Sequence, residues 1–244
     1  MPRAAAVLFV ATLGACGRLG FDAHPSADAT GDSIQLPSGL LAWYTMDQLA
    51  GQQLVDATGH GHDGTCAPPQ CPTPDLGVRG GALRFDGTQV LRAASAPDLE
   101  DLTAFTVSAW LQRDPTAAET CPLSKVLGPS SGDSWQLCVI PSGVTSFITT
   151  NGGAADFLRP TSSWPAGSWH HIAMMWDGAT KTIVFDGNAE ATSTFTCAFD
   201  TAELVVGGDV DDGQPTTLFA GLIDDVRIYD RVLAPSELSD LATP

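Results

Sequence analysis

From Gly39 onward, hydrophobic and polar positions alternate over short spans, and Gly, Asp, Asn or Pro breaks each span. The pattern predicts strands at 40–46, 81–86, 89–93, 105–112, 125–128, 135–140, 145–149, 169–176, 182–185, 192–199 and 204–207, then a long one at 219–230. Asp86-Gly87, Asp177-Gly178 and Asp186-Gly187 are turn dipeptides, and the last two flank the 182–185 strand as hairpin turns. A helical period appears only at 234–241, where Pro235 suits a first turn and Leu238 and Leu241 lie three apart. A dozen strands with no interposed helices predict an all-β fold, a two-sheet antiparallel sandwich of jelly-roll kind.

The 219–230 segment organises the rest. Strict alternation puts Ala220, Leu222, Asp224, Val226 and Ile228 on one face, and Phe219, Gly221, Ile223, Asp225, Arg227 and Tyr229 on the other. Apolar residues on both faces mark a central strand. Asp224 is then a carboxylate among aliphatic groups, and it needs a cation, a metal or backbone donors. Asp225 and Arg227 share a face and can pair.

The first 16 residues read as an address. Met1–Arg3 is a short positive region, Ala4–Thr12 a small apolar run, and Leu13-Gly-Ala-Cys16 resembles the lipobox of bacterial lipoproteins. Acyl chains on Cys16 would anchor the chain, each buried CH₂ contributing about 0.8 kcal/mol, while the apolar run is too short to span a bilayer. Gly17, in place of an Asp retention cue, directs the expectation to the outer membrane. Residues 17–38, rich in Ala, Asp, Ser, Gly and Pro, read as a flexible tether, and 39–244 as one domain.

Composition removes one class of partner. The formal charge is -17, Lys125 and Lys181 are the only lysines, and a nucleic-acid binder needs the opposite sign. With 43% hydrophobic and 16% charged residues the chain can build a substantial core.

Trp43-Tyr-Thr-Met-Asp47 and Asp56-Ala-Thr-Gly-His-Gly-His-Asp-Gly64 are followed in order by Gly77–Gly87, Phe105–Trp110, Trp169–Ala173, Phe185–Gly187 and Leu222–Leu233. This ordered set resembles laminin-G-like, concanavalin A-like domains over nearly all of 39–241. The resemblance implies two curved antiparallel sheets, non-catalytic recognition of a glycan or a protein, and a structural Ca²⁺. The departures are the Cys-bearing insertions at Cys66–Cys71 and Cys121, and His60 and His62 where Asn or Gly is usual. Calcium takes hard oxygen ligands, so the expected site joins Asp47 or Asp56, carbonyls from Gly59 to His62, and Asp224. The alternative has Asp47 and Asp56 capping turns while Asp224 accepts backbone N–H groups.

Other chemistry finds little purchase. Concanavalin A-like hydrolases need facing carboxyls, yet the five glutamates, Glu100, Glu119, Glu190, Glu203 and Glu237, form no alternating array. Ser130-Ser131 and Ser162-Ser163 lack a nucleophile elbow, so no Ser–His–Asp triad is expected. His60-Gly-His62 offers only two metal ligands, and His170 and His171 lie on opposite strand faces. Cys66 and Cys71 are expected to close a small disulfide in an oxidising compartment. Cys121–Cys138 is the next expected bridge, with Cys197 free and buried; Cys138–Cys197 is its competitor. Trp110, Trp135 and Trp164, beside polar residues or loops, are the ring candidates for ligand stacking, with the core rim as the competing role.

Overall fold

The computed structural model describes residues 36–116, 118–128 and 132–244. The expected signal segment, Cys16, most of the expected tether and Ser130-Ser131 lie outside these residues. Leu36 packs on an apolar cluster, and the Ser38 carbonyl accepts from Arg231 Nε at 2.8 Å.

Among the described residues eighteen strands and one α-helix follow in chain order. They are β1 (Leu40–Tyr44), β2 (Gln53–Leu54), β3 (Gly64–Thr65), β4 (Thr73–Leu76), β5 (Gly81–Asp86), β6 (Leu91–Ala93), β7 (Phe105–Arg113), β8 (Thr120–Leu127) and β9 (Gly132–Val139). Then come β10 (Thr145–Asn151), β11 (Ala154–Leu158), β12 (Trp169–Trp176), β13 (Thr180–Phe185), β14 (Asn188–Thr194), β15 (Leu204–Val206), β16 (Asp209–Asp211), β17 (Gln214–Thr216), β18 (Ala220–Tyr229) and α1 (Pro235–Leu241). The first sheet runs β14-β13-β12-β7-β18-β5-β4, with β1 also on β18, and the second runs β11-β10-β9-β8-β15-β6-β3-β2. All pairings are antiparallel, so the expected sandwich is the observed fold. Phe85, Phe105, Trp176, Phe219 and Ile223 of the first sheet meet Leu123, Trp135, Leu137 and Phe147 of the second in one apolar layer. The Asp186-Gly187 turn closes β13–β14 with both residues at positive φ (46° and 78°), the geometry a two-residue hairpin requires.

The long strand departs from strict alternation. β18 pairs with β5 over residues 220–223 and with β1 over 226–229, and its register slips between Asp224 and Arg227. Asp225 there has φ 48°. This bulge re-phases the strand, so Ile223 and then Val226 and Ile228 face the core. Asp224 and Asp225 occupy the irregularity instead of an aliphatic row.

Two covers close the outer faces. Helix α1 lies on the first sheet, its Leu238 and Leu241 packing with Ala173, Val184, Tyr229 and Leu233. The β16–β17 hairpin lies on the second, with Val210 packed on Val126 and Val205.

Candidate functional site

Hydrogen bonds engage each group expected at the calcium site. Asp56 is buried, and its two carboxylate oxygens accept from Trp43 N, Thr58 N, Thr58 Oγ1 and His62 N at 2.7–3.3 Å. Burial pushes this carboxyl up, but the Thr58 hydroxyl and those N–H groups outweigh it and hold it below the usual range. Gly59 and His62 belong to the same turn: the Gly59 N–H donates to the Asp56 carbonyl, and the His62 carbonyl accepts from the Tyr44 hydroxyl at 2.6 Å. Asp47 accepts from Gly81 N at 2.6 Å. Asp224 accepts from Val78 N and Arg79 N at 2.7 and 2.8 Å. Gly77 is needed for that turn, since a Cβ there would stand 2.6 Å from Asp224 Oδ2. Among the described residues no three His, Cys, Asp or Glu side chains gather as a metal cluster. Backbone N–H groups thus reach all three carboxylates, Asp47, Asp56 and Asp224, while Asp224 Oδ1 is buried without a hydrogen-bond partner.

The three tryptophan candidates are corrected. Trp110, Trp135 and Trp164 are 4%, 2% and 2% exposed, and none presents a ring face to a ligand. Trp110 meets His171 edge to face and donates to the Leu241 carbonyl. Trp135 sits in the inter-sheet core against Phe105, and Trp164 packs beneath Arg113. Both expected disulfides are present, Cys66–Cys71 and Cys121–Cys138. Cys197 is free and half-buried, and burial pushes its thiol up to about 12.

One alignment escaped the sequence reading. Ser168 Oγ lies 3.1 Å from His170 Nε2, and His170 Nδ1 lies 2.8 Å from Asp186 Oδ2. The Ser168 hydroxyl donates to the Pro165 carbonyl at 2.9 Å, and Asp186 also accepts the His171 N–H. The Pro165 carbonyl and the His171 N–H thus tie both ends of the trio to backbone.

The open ground lies beside the hairpin on the second sheet. A cavity of about 510 Å³ is lined by Val126, Ala202, Glu203, Val210 and Asp212. Another, of about 320 Å³, is lined by Thr65, Gln70, Thr88, Arg92 and Pro215. Arg92 follows from alternation in β6, where Leu91 and Ala93 turn inward and it turns out. Its Nη1 pairs with Glu203 Oε1 at 3.4 Å, and its Nη2 donates to the Gly213 carbonyl at 3.3 Å. One ion pair thus joins the two cavities, and Arg92 and Glu203 remain 34% and 29% exposed. Neither lining includes an aromatic ring among the described residues. Guanidinium, amide, hydroxyl and carboxylate groups arranged around small apolar patches can hydrogen-bond a polyhydroxylated ligand. The sequence signal was alternation in β6; the facing of Glu203 came only from the fold.

The sequence profile of the concanavalin A-like lectin/glucanases superfamily matches residues 85–239. The chain belongs to that superfamily. No curated protein matches the sequence. Among solved structures, domain 4 of AbnA, a GH43 extracellular arabinanase from Geobacillus stearothermophilus in complex with arabinotriose, is 24% identical with a TM-score of 0.67, covering 84% of this chain and 98% of that one. The binding domain of Paraclostridial Mosquitocidal Protein 1 is 12% identical with a TM-score of 0.67, covering 84% and 52%. Trypanosoma rangeli sialidase in complex with a difluoro-KDN is 18% identical with a TM-score of 0.66, covering 89% and 35%. At these identities the likeness to this superfamily member is one of fold.

Proposed function

We propose that this superfamily member is a non-catalytic binding domain that engages a polysaccharide at the bacterial envelope through the cleft beside the β16–β17 hairpin. The observation that carries the reading is the half-exposed Arg92–Glu203 pair joining two cavities on one sheet face. Such a pair offers fixed donors and acceptors to sugar hydroxyls, and the cavities supply room on both sides. Arabinan fragments are the first probes, because the arabinanase domain was solved with arabinotriose. On an array of cell-wall and plant polysaccharides, the chain should retain at least one polymer, and Arg92→Ala should weaken retention tenfold or more. Unchanged binding by Arg92→Ala removes the cleft from the reading, and release of reducing sugar from any polymer replaces it with a hydrolase. Display at the envelope rests on Leu13–Cys16: we expect a clickable fatty acid to label the chain in a bacterial host, and Cys16→Ser to abolish labelling.

A further inference from the structure

Alternation carries the core row of β12 out to the end of the sandwich. Ile172, Met174 and Trp176 face the core, so His170, and Ser168 just before the strand, continue the same row outward. Ser168 is half-buried there, and the His170 side chain is 20% exposed.

The imidazole is fixed from three sides. Phe185 lies 4.7 Å from it between ring centroids, and Trp164 meets it at 5.5 Å and 63°. Asp186 Oδ2 takes Nδ1 at 2.8 Å. A carboxylate only accepts, so the proton sits on Nδ1 and the neutral ring keeps its lone pair on Nε2. Asp186 is held in turn, its Oδ1 accepting the His171 N–H at 2.9 Å and its own N–H donating to the His171 carbonyl at 2.8 Å. Nε2 then faces Ser168 Oγ at 3.1 Å. The Ser168 hydroxyl has two acceptors in reach, that nitrogen and the Pro165 carbonyl at 2.9 Å, and rotation about its C–O bond passes the proton between them. Hydroxyl, base and orienting acid stand in the order that activates a serine.

We propose that Ser168 is a reactive serine, an acceptor site for one acyl group from an uncharged, activated ester, with His170 as its base and Asp186 as the positioning residue. The Ser168 O–H bond breaks and its proton passes to His170 Nε2 as Oγ bonds the acyl carbon. The ester's alkoxide leaves and takes that proton, departing as an alcohol. The formal charge of -17 repels anionic donors, which sets the uncharged class. One acyl group per chain is transferred, without turnover, and the cleft beside the hairpin plays no part. Ser162 is the internal control: its hydroxyl is also half-buried but donates to the Glu190 carboxylate at 2.6 Å rather than to an imidazole.

The test is labelling of the purified full chain with p-nitrophenyl acetate and, separately, with an uncharged fluorophosphonate, the modified residue being located by peptide mass spectrometry. No sugar is present, so the outcome is separate from that of the glycan reading. Ser168 should be labelled about 10²-fold or more faster than Ser162, at a rate that climbs with pH as an imidazole loses its proton and then levels off. Ser168→Ala should lose this label. Asp186→Asn suits the left-handed turn at φ 46°, and its amide can still accept from the His171 N–H. Its NH₂ would donate to Nδ1, however, which moves the ring proton to Nε2 and removes the base. Labelling should then slow about tenfold or more while the thermal midpoint holds, a split that a merely structural contact does not give. No label on Ser168, equal rates at Ser168 and Ser162, or labelling that Asp186→Asn leaves unchanged would overturn the proposal; the first outcome would mean that the trio only fastens its turn.

Discussion

The two outer faces bury acids in opposite ways. On the first sheet Asp225, 5% exposed, accepts from Trp43 Nε1 at 2.7 Å and Arg227 Nε at 2.9 Å, with Arg79 Nη1 at 3.4 Å. Arg79 goes on to hold the carbonyls of Asp240, Leu241 and Thr243, so one carboxylate links the strand, a turn and the end of the chain. On the second sheet Asp133 and Asp209 are as deeply buried, and among the described residues no basic side chain pairs with either. Asp224 stands midway, with two backbone donors on Oδ2 and none on Oδ1. A buried acid held by two guanidinium groups stays charged and ties elements together; one left without a counterion keeps its proton more firmly, as burial raises both Asp133 and Asp209.

The largest expected effect breaks the satisfied side. Asp225→Ala leaves Arg79 and Arg227 uncompensated beneath helix α1, and removing one partner of a buried pair costs about 3–5 kcal/mol. Urea denaturation should show that loss with an unchanged slope. A loss below about 1 kcal/mol would place Asp225 with exposed pairs and erase the contrast.

Next comes pH, where two acids of the first sheet and its cover pull in opposite directions. Burial pushes Asp224 up to about 7 against the pull of the Arg79 and Val78 N–H groups. A carboxyl raised in the folded state contributes stability that is full below about pH 4 and lost as pH rises through 7. Glu237 is the reverse: its bond to Arg231 and the Ala234 N–H hold it down at about 2, so its contribution is present above about pH 4.5 and fades as pH falls through 2. Asp133, which burial pushes up to about 9, adds a wider fall, so stability should rise on the acid limb and then decline from about pH 4 toward 9. Asp224→Asn should remove the part of the decline between about pH 4 and 7, and Glu237→Gln should lessen the acid limb that His171, pushed down to about 4 by burial, also shapes; a decline untouched by Asp224→Asn would reassign it.

How much of this could be read in the sequence follows from the same contrast. The sandwich, the terminal helix, the hairpin turns, the Cys66–Cys71 bridge and the Asp225–Arg227 pair come from short-range pattern, because alternation and turn residues act over a few positions. The choice of Cys121–Cys138 over Cys138–Cys197 needed the pairing of β8 with β9. The bulges at Asp224–Asp225 and beside Asp133 did not, since one added residue re-phases a strand without altering its composition. Trp135 was read as a loop-side ring, yet it packs in the core. β16 and β17 are three residues each, too short to show a period, and with them went the cover of the second sheet and the pairing of Arg92 with Glu203.

The smallest effect on stability carries the sharpest functional weight. Arg92 and Glu203 are each about a third exposed, so solvent screens their attraction. A double-mutant cycle of Arg92→Ala and Glu203→Ala, read by urea denaturation, should give a coupling of about 0.2–1 kcal/mol. The folded state therefore hardly depends on the pair, unlike Asp225, whose truncation reaches through three elements. A tenfold or greater loss of polysaccharide retention in Arg92→Ala, about 1.4 kcal/mol, then exceeds the coupling and belongs to the ligand rather than to loosening of the domain. A coupling above about 3 kcal/mol would make the pair a fastening of the hairpin, and the second face would then resemble the first.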